Sequence, residues 1–312
     1  MRQRQNRLLF GAAAVSAAAA LAGLLAWVLA RPEPPAVEAA VRAVADIAAV
    51  LTLGLAVVPR LDGLRYRDEL ARRAARPLAV AAGVWLVAEL LRTVLAAAEA
   101  AAIPVTRLSV QTVLEFVSST VAGRSTVFSL AAAGLVCALA LFASPAPPVT
   151  VGIAGVAAAG VAARAVTGHV SENVVGATAV VVHALAAALW CGTLGALTFT
   201  VSSRGQWARV LPKFSQLALV CVAVLLAGGV VAAFARLGSA ADLVGTGYGR
   251  ILLAKIAVTA ALLILAWTNR MGWLREARAH RVSADASLSR SLAEVGLMTT
   301  ALTLAAALTL TG

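Results

Sequence analysis

Long apolar runs, each close to the length of a bilayer crossing, alternate along the chain with short polar connections. They cover Leu8 to Ala30, Ala36 to Val58, Pro77 to Ala98, Thr126 to Ala143, Val149 to Gly168, Asn173 to Val201, Phe214 to Ala235, Gly249 to Thr268 and Ser291 to Thr311. A membrane-spanning helix needs about 20 apolar residues. The pattern therefore predicts an all-α, polytopic transmembrane helical bundle of about nine spans. The first run follows Arg2, Arg4 and Arg7 and ends Val28-Leu29-Ala30, much as a signal peptide does, yet it exceeds the usual h-region of about 7 to 15 residues. It reads as a retained span. Between the third and fourth runs, IPVTRLSVQTVLEFVSSTVAGR lacks the apolar length to cross and reads as an interfacial helix within a segment near residues 99–125.

Composition agrees with this pattern. Of 312 residues, 61% are hydrophobic and 13% charged, and the mean hydropathy is +0.91, too apolar for a soluble fold. The formal net charge of +12 does not point to nucleic acid, because the arginines gather in short loops where they set orientation and meet anionic membrane lipid. Arg60, Arg65, Arg67, Arg72, Arg73 and Arg76 lie in the loop 59–77; Arg204, Arg209 and Lys213 in 202–213; Arg270, Arg275, Arg278, Arg281 and Arg290 in or beside 269–290. The alternate loops carry fewer, among them Arg107, Arg124, Arg164, Arg236 and Arg250. The bias predicts a cytoplasmic amino terminus and an external carboxyl terminus.

Within this frame the stretch GHVSENVVGATAVVVHALAAALWCGTLG, residues 168–195, holds two of the three histidines. His169 is expected in an external turn, and His183 about 15 Å along the sixth span from its outer end. His183 and Trp190, seven apart, share a face with the small Ala187 between them. A core histidine bonded across the bundle is one reading of His183; a ligand or pathway group is the other, because ionisable groups at such depth are costly. His169 beside Glu172 reads as a surface histidine, or as a second imidazole if the turn folds over the bundle.

Further polar groups fall inside the apolar runs: Asp46, Glu89, Arg92, Lys255, and Glu294 with Met298 at i and i+4. Asp46, Glu89, Arg92 and Lys255 are expected at the outer half, as one polar cluster near His183. That cluster is either a closed salt-bridge network or an entry path. Cys137, Cys191 and Cys221 sit in apolar runs without a CxxC spacing and read as structural thiols, with Cys191 next to Trp190 the exception to watch. The pairs Gly192 with Gly195 and Gly228 with Gly229 suit close helix packing. No P-loop, HExxH, nucleophile elbow or dinucleotide fingerprint is present, so the chain is not expected to be an enzyme.

The segments HALAAALWCGTLGAL, KFSQLALVCVAVLLAGGVVAAFARL and TGYGRILLAKIAVTAALLILAWTNR together resemble the copper-resistance D (CopD) family of bacterial inner-membrane proteins. In order they show His and Trp-x-Gly on one helix, a Phe-Ser span entry, a mid-span glycine, a Tyr-Gly turn before a helix with Lys, and an Asn-Arg exit. The resemblance is close over roughly residues 169–270. It divides the chain into N-terminal helices, 1–148, and a CopD-like core, 149–312. It implies transfer of copper across the cytoplasmic membrane, inward and as Cu(I), with His183 as the family-type position and His169 for external capture. Cys191 and Met298 are expected as further soft ligands. Asp46 and Glu89 would supply negative potential, with Arg92 and Lys255 holding those carboxylates or opposing leakage, and Glu294 lying beside Met298 at the exit. Cys191 departs from the aliphatic or small residue expected there. Some actinobacterial relatives join such a module to a CtaG-like oxidase-assembly module, and the chain is expected to match the first half of that arrangement. The implied partners are a periplasmic copper donor and a cytochrome oxidase assembly partner. Two rivals remain: a copper-binding or oxidase-assembly accessory protein without transport, and a membrane cytochrome holding haem between His169 and His183. The latter is disfavoured because His169 falls in a loop.

Overall fold

A computed structural model describes residues 2–31, 36–144, 146–165, 174–236, 242–273 and 283–311. Every regular element among them is helical. The α-helices are α1 (Arg2–Leu29), α2 (Ala36–Val57), α3 (Leu64–Ala100), α4 (Val110–Ser119), α5 (Val121–Phe142), α6 (Pro147–Ala165), α7 (Val174–Thr200), α8 (Arg204–Arg236), α9 (Asp242–Gly245), α10 (Gly247–Met271) and α11 (Ala284–Thr311). Each of the nine apolar runs is helical over most of its described residues. Among the described residues eight helices are long and apolar enough to cross a membrane, and the described apolar stretch of α1 is the shorter Ala13–Leu29. The expected interfacial segment contains α4, capped at its start by the Ser109 hydroxyl, which accepts from the Thr112 amide.

The helices α3, α8 and α11 begin furthest ahead of their apolar runs. The α3 helix starts at Leu64 and runs through Pro77, α8 starts at Arg204 and runs through Pro212, and α11 starts at Ala284. Polar sequence can be helical without being apolar: apart from Tyr66 and Asp68, Leu64–Arg76 is built of Leu, Ala, Arg and Glu, all strong helix formers, and Glu69 pairs with Arg73 one turn on. Each proline removes one backbone bond without ending its helix, as spanning helices tolerate.

The bundle is organised around α2 and α7. Residues Gly192 to Thr198 of α7 are all buried, and most of Ala48 to Pro59 of α2 and its extension is too. The two helices cross at glycines. A Cβ added to Gly54 would fall 1.9 Å from the Gly192 carbonyl, and one added to Gly192 would fall 2.0 Å from the Val50 carbonyl oxygen. In lipid, where apolar burial gives little drive to associate, such close approach is what brings helices together. Around this pair, α3 packs on α2, α5 on α3, and α6 on both α5 and α2, while α8 lies along α7. The α11 helix packs on α2, α7, α10 and α1.

Four connections meet at one end. Arg209 Nε donates to Asp62 Oδ1 at 2.8 Å, Arg73 reaches Ser202 Oγ at 2.7 Å, and Arg60 reaches the Pro147 carbonyl at 3.4 Å. Trp207 and Trp273, 5.7 Å apart between centroids, bring the end of α10 to the same place. Three of these are the basic loops grouped on one side by their charge; the turn at 144–148 carries none. At the other end Arg250 donates to the carbonyls of Leu29 at 3.1 Å and Arg31 at 3.2 Å, tying α10 to α1.

Candidate functional site

The intramembrane polar groups fall into three places rather than one. The largest is a network between α2, α3, α5 and α6. Glu89, with a fully buried side chain, receives Arg92 Nε at 2.9 Å on one oxygen. Its other oxygen lies 2.9 Å from Arg164 Nη1 and accepts from Ser129 Oγ at 3.0 Å and Trp85 Nε1 at 3.2 Å. Arg164 continues to Asp46, 2.8 Å away, and Arg92 to Thr126 Oγ1 at 3.1 Å. Arg42, one turn before Asp46, stands 4.0 Å from it. A buried carboxylate is tolerable only when charges and hydrogen bonds surround it, and here both oxygens of Glu89 are met.

Two expectations change here. Arg164, counted as a loop charge, is 6% exposed and joins Asp46 to Glu89. It lies at the C-terminal end of α6, where position along the chain does not distinguish a loop residue from one turned inward. Lys255 is not among the partners of the carboxylates: Asp46 and Glu89 are paired with arginines.

The second place is the His183 ring. It projects from α7 toward α8, where a Cβ on Gly228 would lie 3.2 Å from Nδ1. Nδ1 is buried and turned toward the Leu225 backbone, its one hydrogen-bonding neighbour, without ideal hydrogen-bond geometry. The absent side chain at Gly228 makes room for the imidazole. Helices α8 and α10 meet mainly near the far end, where Arg270 Nη1 donates to the Ser215 carbonyl at 3.0 Å, while α10 packs chiefly on α11.

The third place is apolar. Trp190, Cys221 and Met298 are buried in the main core, and half-buried Cys191 packs against it. Glu294, one turn before Met298, accepts from Asn269 Nδ2 of α10, so it is tied to a neutral partner. His169 lies outside the described residues. Among the described residues no three His, Cys, Asp or Glu side chains gather as a metal site. Arg42, Trp85, Thr126 and Ser129 were not anticipated, and Gly228 was expected only as a helix-packing residue. Trp85, Glu89 and Arg92, at i, i+4 and i+7, do share a helical face, a signal that could have marked Trp85.

Residues 33–177 match a family model described as copper resistance protein D-like, N-terminal domain, and residues 208–308 match one described as copper resistance protein D. The chain belongs to the copper resistance protein D family. Comparison with curated proteins and with solved structures finds no match. In this copper resistance D protein the N-terminal match contains the whole Asp46–Arg164–Glu89–Arg92 network, and the second contains Cys221, Gly228, Lys255, Glu294 and Met298. His183 stands on the stretch between them, on the helix that both halves pack against.

Proposed function

We propose that this membrane protein carries copper, as Cu(I), from the outer face of the cytoplasmic membrane inward, along the α7–α8 interface at His183. The carrying observation is the His183 imidazole on α7, whose buried Nδ1 is turned to Gly228 and the Leu225 backbone of α8. An ionisable group buried in the membrane is costly, and an imidazole nitrogen is a good ligand for a soft or borderline metal cation. Copper is here the cargo, held in transit. Lys255, a cation next to the ring, opposes uncontrolled passage of cations. The Glu89 network clamps α2, α3, α5 and α6 so that α7 is held in register. The arginine-rich end, which gathers the three basic connections, faces the cytoplasm by the positive-inside rule.

Reconstituted vesicles loaded with a Cu(I) chelator test this reading. Uptake that depends on the protein and is lost in His183→Ala, with bound copper also lost from the purified variant, supports it. Binding without uptake favours an accessory role, in which the protein holds copper for a partner. If neither wild type nor variant binds copper, the pathway fails.

A further inference from the structure

Of the carboxyl groups Asp46, Glu89 and Glu294 inside the bundle, the first two are met by arginines. Glu294 is not. It stands on α11, 3% exposed, with Oε1 accepting from Asn269 Nδ2 of α10, and no ion pair or second hydrogen bond reaches it among the described residues. The charges on the elements packed around it are turned elsewhere or lie at other levels. Arg270, next to Asn269, donates to the Ser215 carbonyl of α8, and Arg209 and Lys213 of α8 reach Asp62. Arg290 and Asp285, earlier on α11, have contacts of their own. The α1 arginines Arg2, Arg4 and Arg7 precede Gly11, the level at which α1 meets Leu292 of α11. Lys255 lies about 21 Å further out along α10 than Asn269. On the facing parts of α2 and α7 the one titratable side chain is the Cys191 thiol, with Cys221 on α8.

Ser287 and Ser291, both buried, precede Glu294 on the same face of α11 at seven and three residues. Ser287 accepts from Trp273 Nε1 at 3.0 Å, which places it at the arginine-rich end, and Ser291 donates to the Ser287 carbonyl at 3.0 Å. A line of hydroxyls therefore runs from that end to the carboxyl. Glu294 lies about 15 Å along α11 from Ala284, and His183 about 25 Å along α7 from Thr200. Copper moving inward from His183 has to pass the level of Glu294.

We propose that Glu294 is a proton-binding site that compensates the charge of Cu(I) in transit. This rests on the copper reading above. A carboxyl buried in the membrane with a neutral amide for its partner keeps its proton. A Cu(I) ion entering the bundle brings a positive charge that no unpaired carboxylate meets, and at low dielectric such a charge acts over several ångströms. As copper reaches this level the carboxyl O–H bond breaks. The proton leaves by Ser291 and Ser287 to water at the arginine-rich end, and the carboxylate stays behind to balance the metal. When copper departs inward, a proton returns along the same line. No electron is transferred, and copper remains Cu(I).

The test uses the full chain in lipid nanodiscs in weak buffer, titrated anaerobically with Cu(I) from a chelator while an indicator dye reports protons, with vesicle uptake in parallel. Wild type is expected to release one proton for each copper bound, and its Cu(I) affinity to rise about tenfold per pH unit. Glu294→Gln preserves the acceptor for Asn269 but cannot ionise, so it should bind Cu(I) without release and without pH dependence. Glu294→Asp should restore both. Ser291→Ala should slow the release without changing its amount. Thermal unfolding of every variant checks that the fold persists, and the wild-type release decides the matter should the glutamine variant not fold. Copper bound by wild type without proton release, or with a release that Glu294→Gln retains, overturns the proton site and leaves the transport reading standing. A release that depends on Glu294 in a protein without vesicle uptake keeps the site and removes transport. A wild type that binds no Cu(I) overturns both.

Discussion

Arg164 Nη1 lies 2.9 Å from Glu89 Oε1, so an arginine at the end of α6 neutralises a carboxylate fully buried on α3. Removing one partner of such a pair leaves the other charged and unmet, at a cost of about 3–5 kcal/mol. Glu89→Gln and Arg164→Met should each lower the thermal unfolding midpoint of detergent-purified protein markedly. The double variant should recover part of the loss, because no bare charge remains. Additive losses in the double variant would show that the two residues act separately.

Gly54 and Gly192 set the distance between α2 and α7. A methyl group at Gly54 would meet backbone at 1.9 Å, and backbone cannot rotate aside as a side chain can. Gly54→Ala and Gly192→Ala should therefore cost at least the about 1–3 kcal/mol typical of overpacking. Gly83→Ala, where nothing lies within 4 Å of the added carbon, is the matching control and should leave the unfolding midpoint unchanged.

What was legible in the chain followed from period and length. Apolar runs mark the nine helices, Gly192 marks a close crossing, and Glu89 with Arg92 marks a pair on one face. Those features are local. The partners of a buried charge are not, because depth in the membrane fixes a level and leaves the azimuth open. Asp46, Glu89 and Lys255 were expected together, yet the network sits among α2, α3, α5 and α6, with Lys255 beside His183 on the other helices. Arg164 escaped for the same reason: a charge near the end of an apolar run looks like a loop charge until neighbouring helices are placed. The early starts of α3 and α8 escaped because hydropathy reports where a helix is apolar, whereas helix propensity carries it on through Leu64–Arg76.

Gly228 gives a graded test of the space around His183. A Cβ there would stand 3.2 Å from Nδ1 and 3.4 Å from the His183 Cβ, contacts that a shift of a few tenths of an ångström relieves. Gly228→Ala should retain copper uptake with modest loss, whereas Gly228→Leu has to displace the ring and should abolish uptake while the protein still extracts as a folded bundle. Equal uptake in wild type and Gly228→Leu would remove the imidazole from the route.

In the proposed route Lys255 is set against His183: when protonated, its side chain opposes a cation at the ring. Charge repulsion in a protein interior is screened less than in water, and replacing Lys255 by Met keeps the length of the side chain while removing its charge. Lys255→Met should tighten Cu(I) binding on the order of tenfold, which corresponds to about 1.4 kcal/mol of repulsion relieved. Competition against a Cu(I) chelator in nanodiscs measures this directly. The same substitution should also admit other monovalent cations to the vesicles, measured as a leak current without copper. Weaker copper binding in Lys255→Met would mean that the ammonium serves the site by orienting a neighbour, and its role as a barrier would have to be given up.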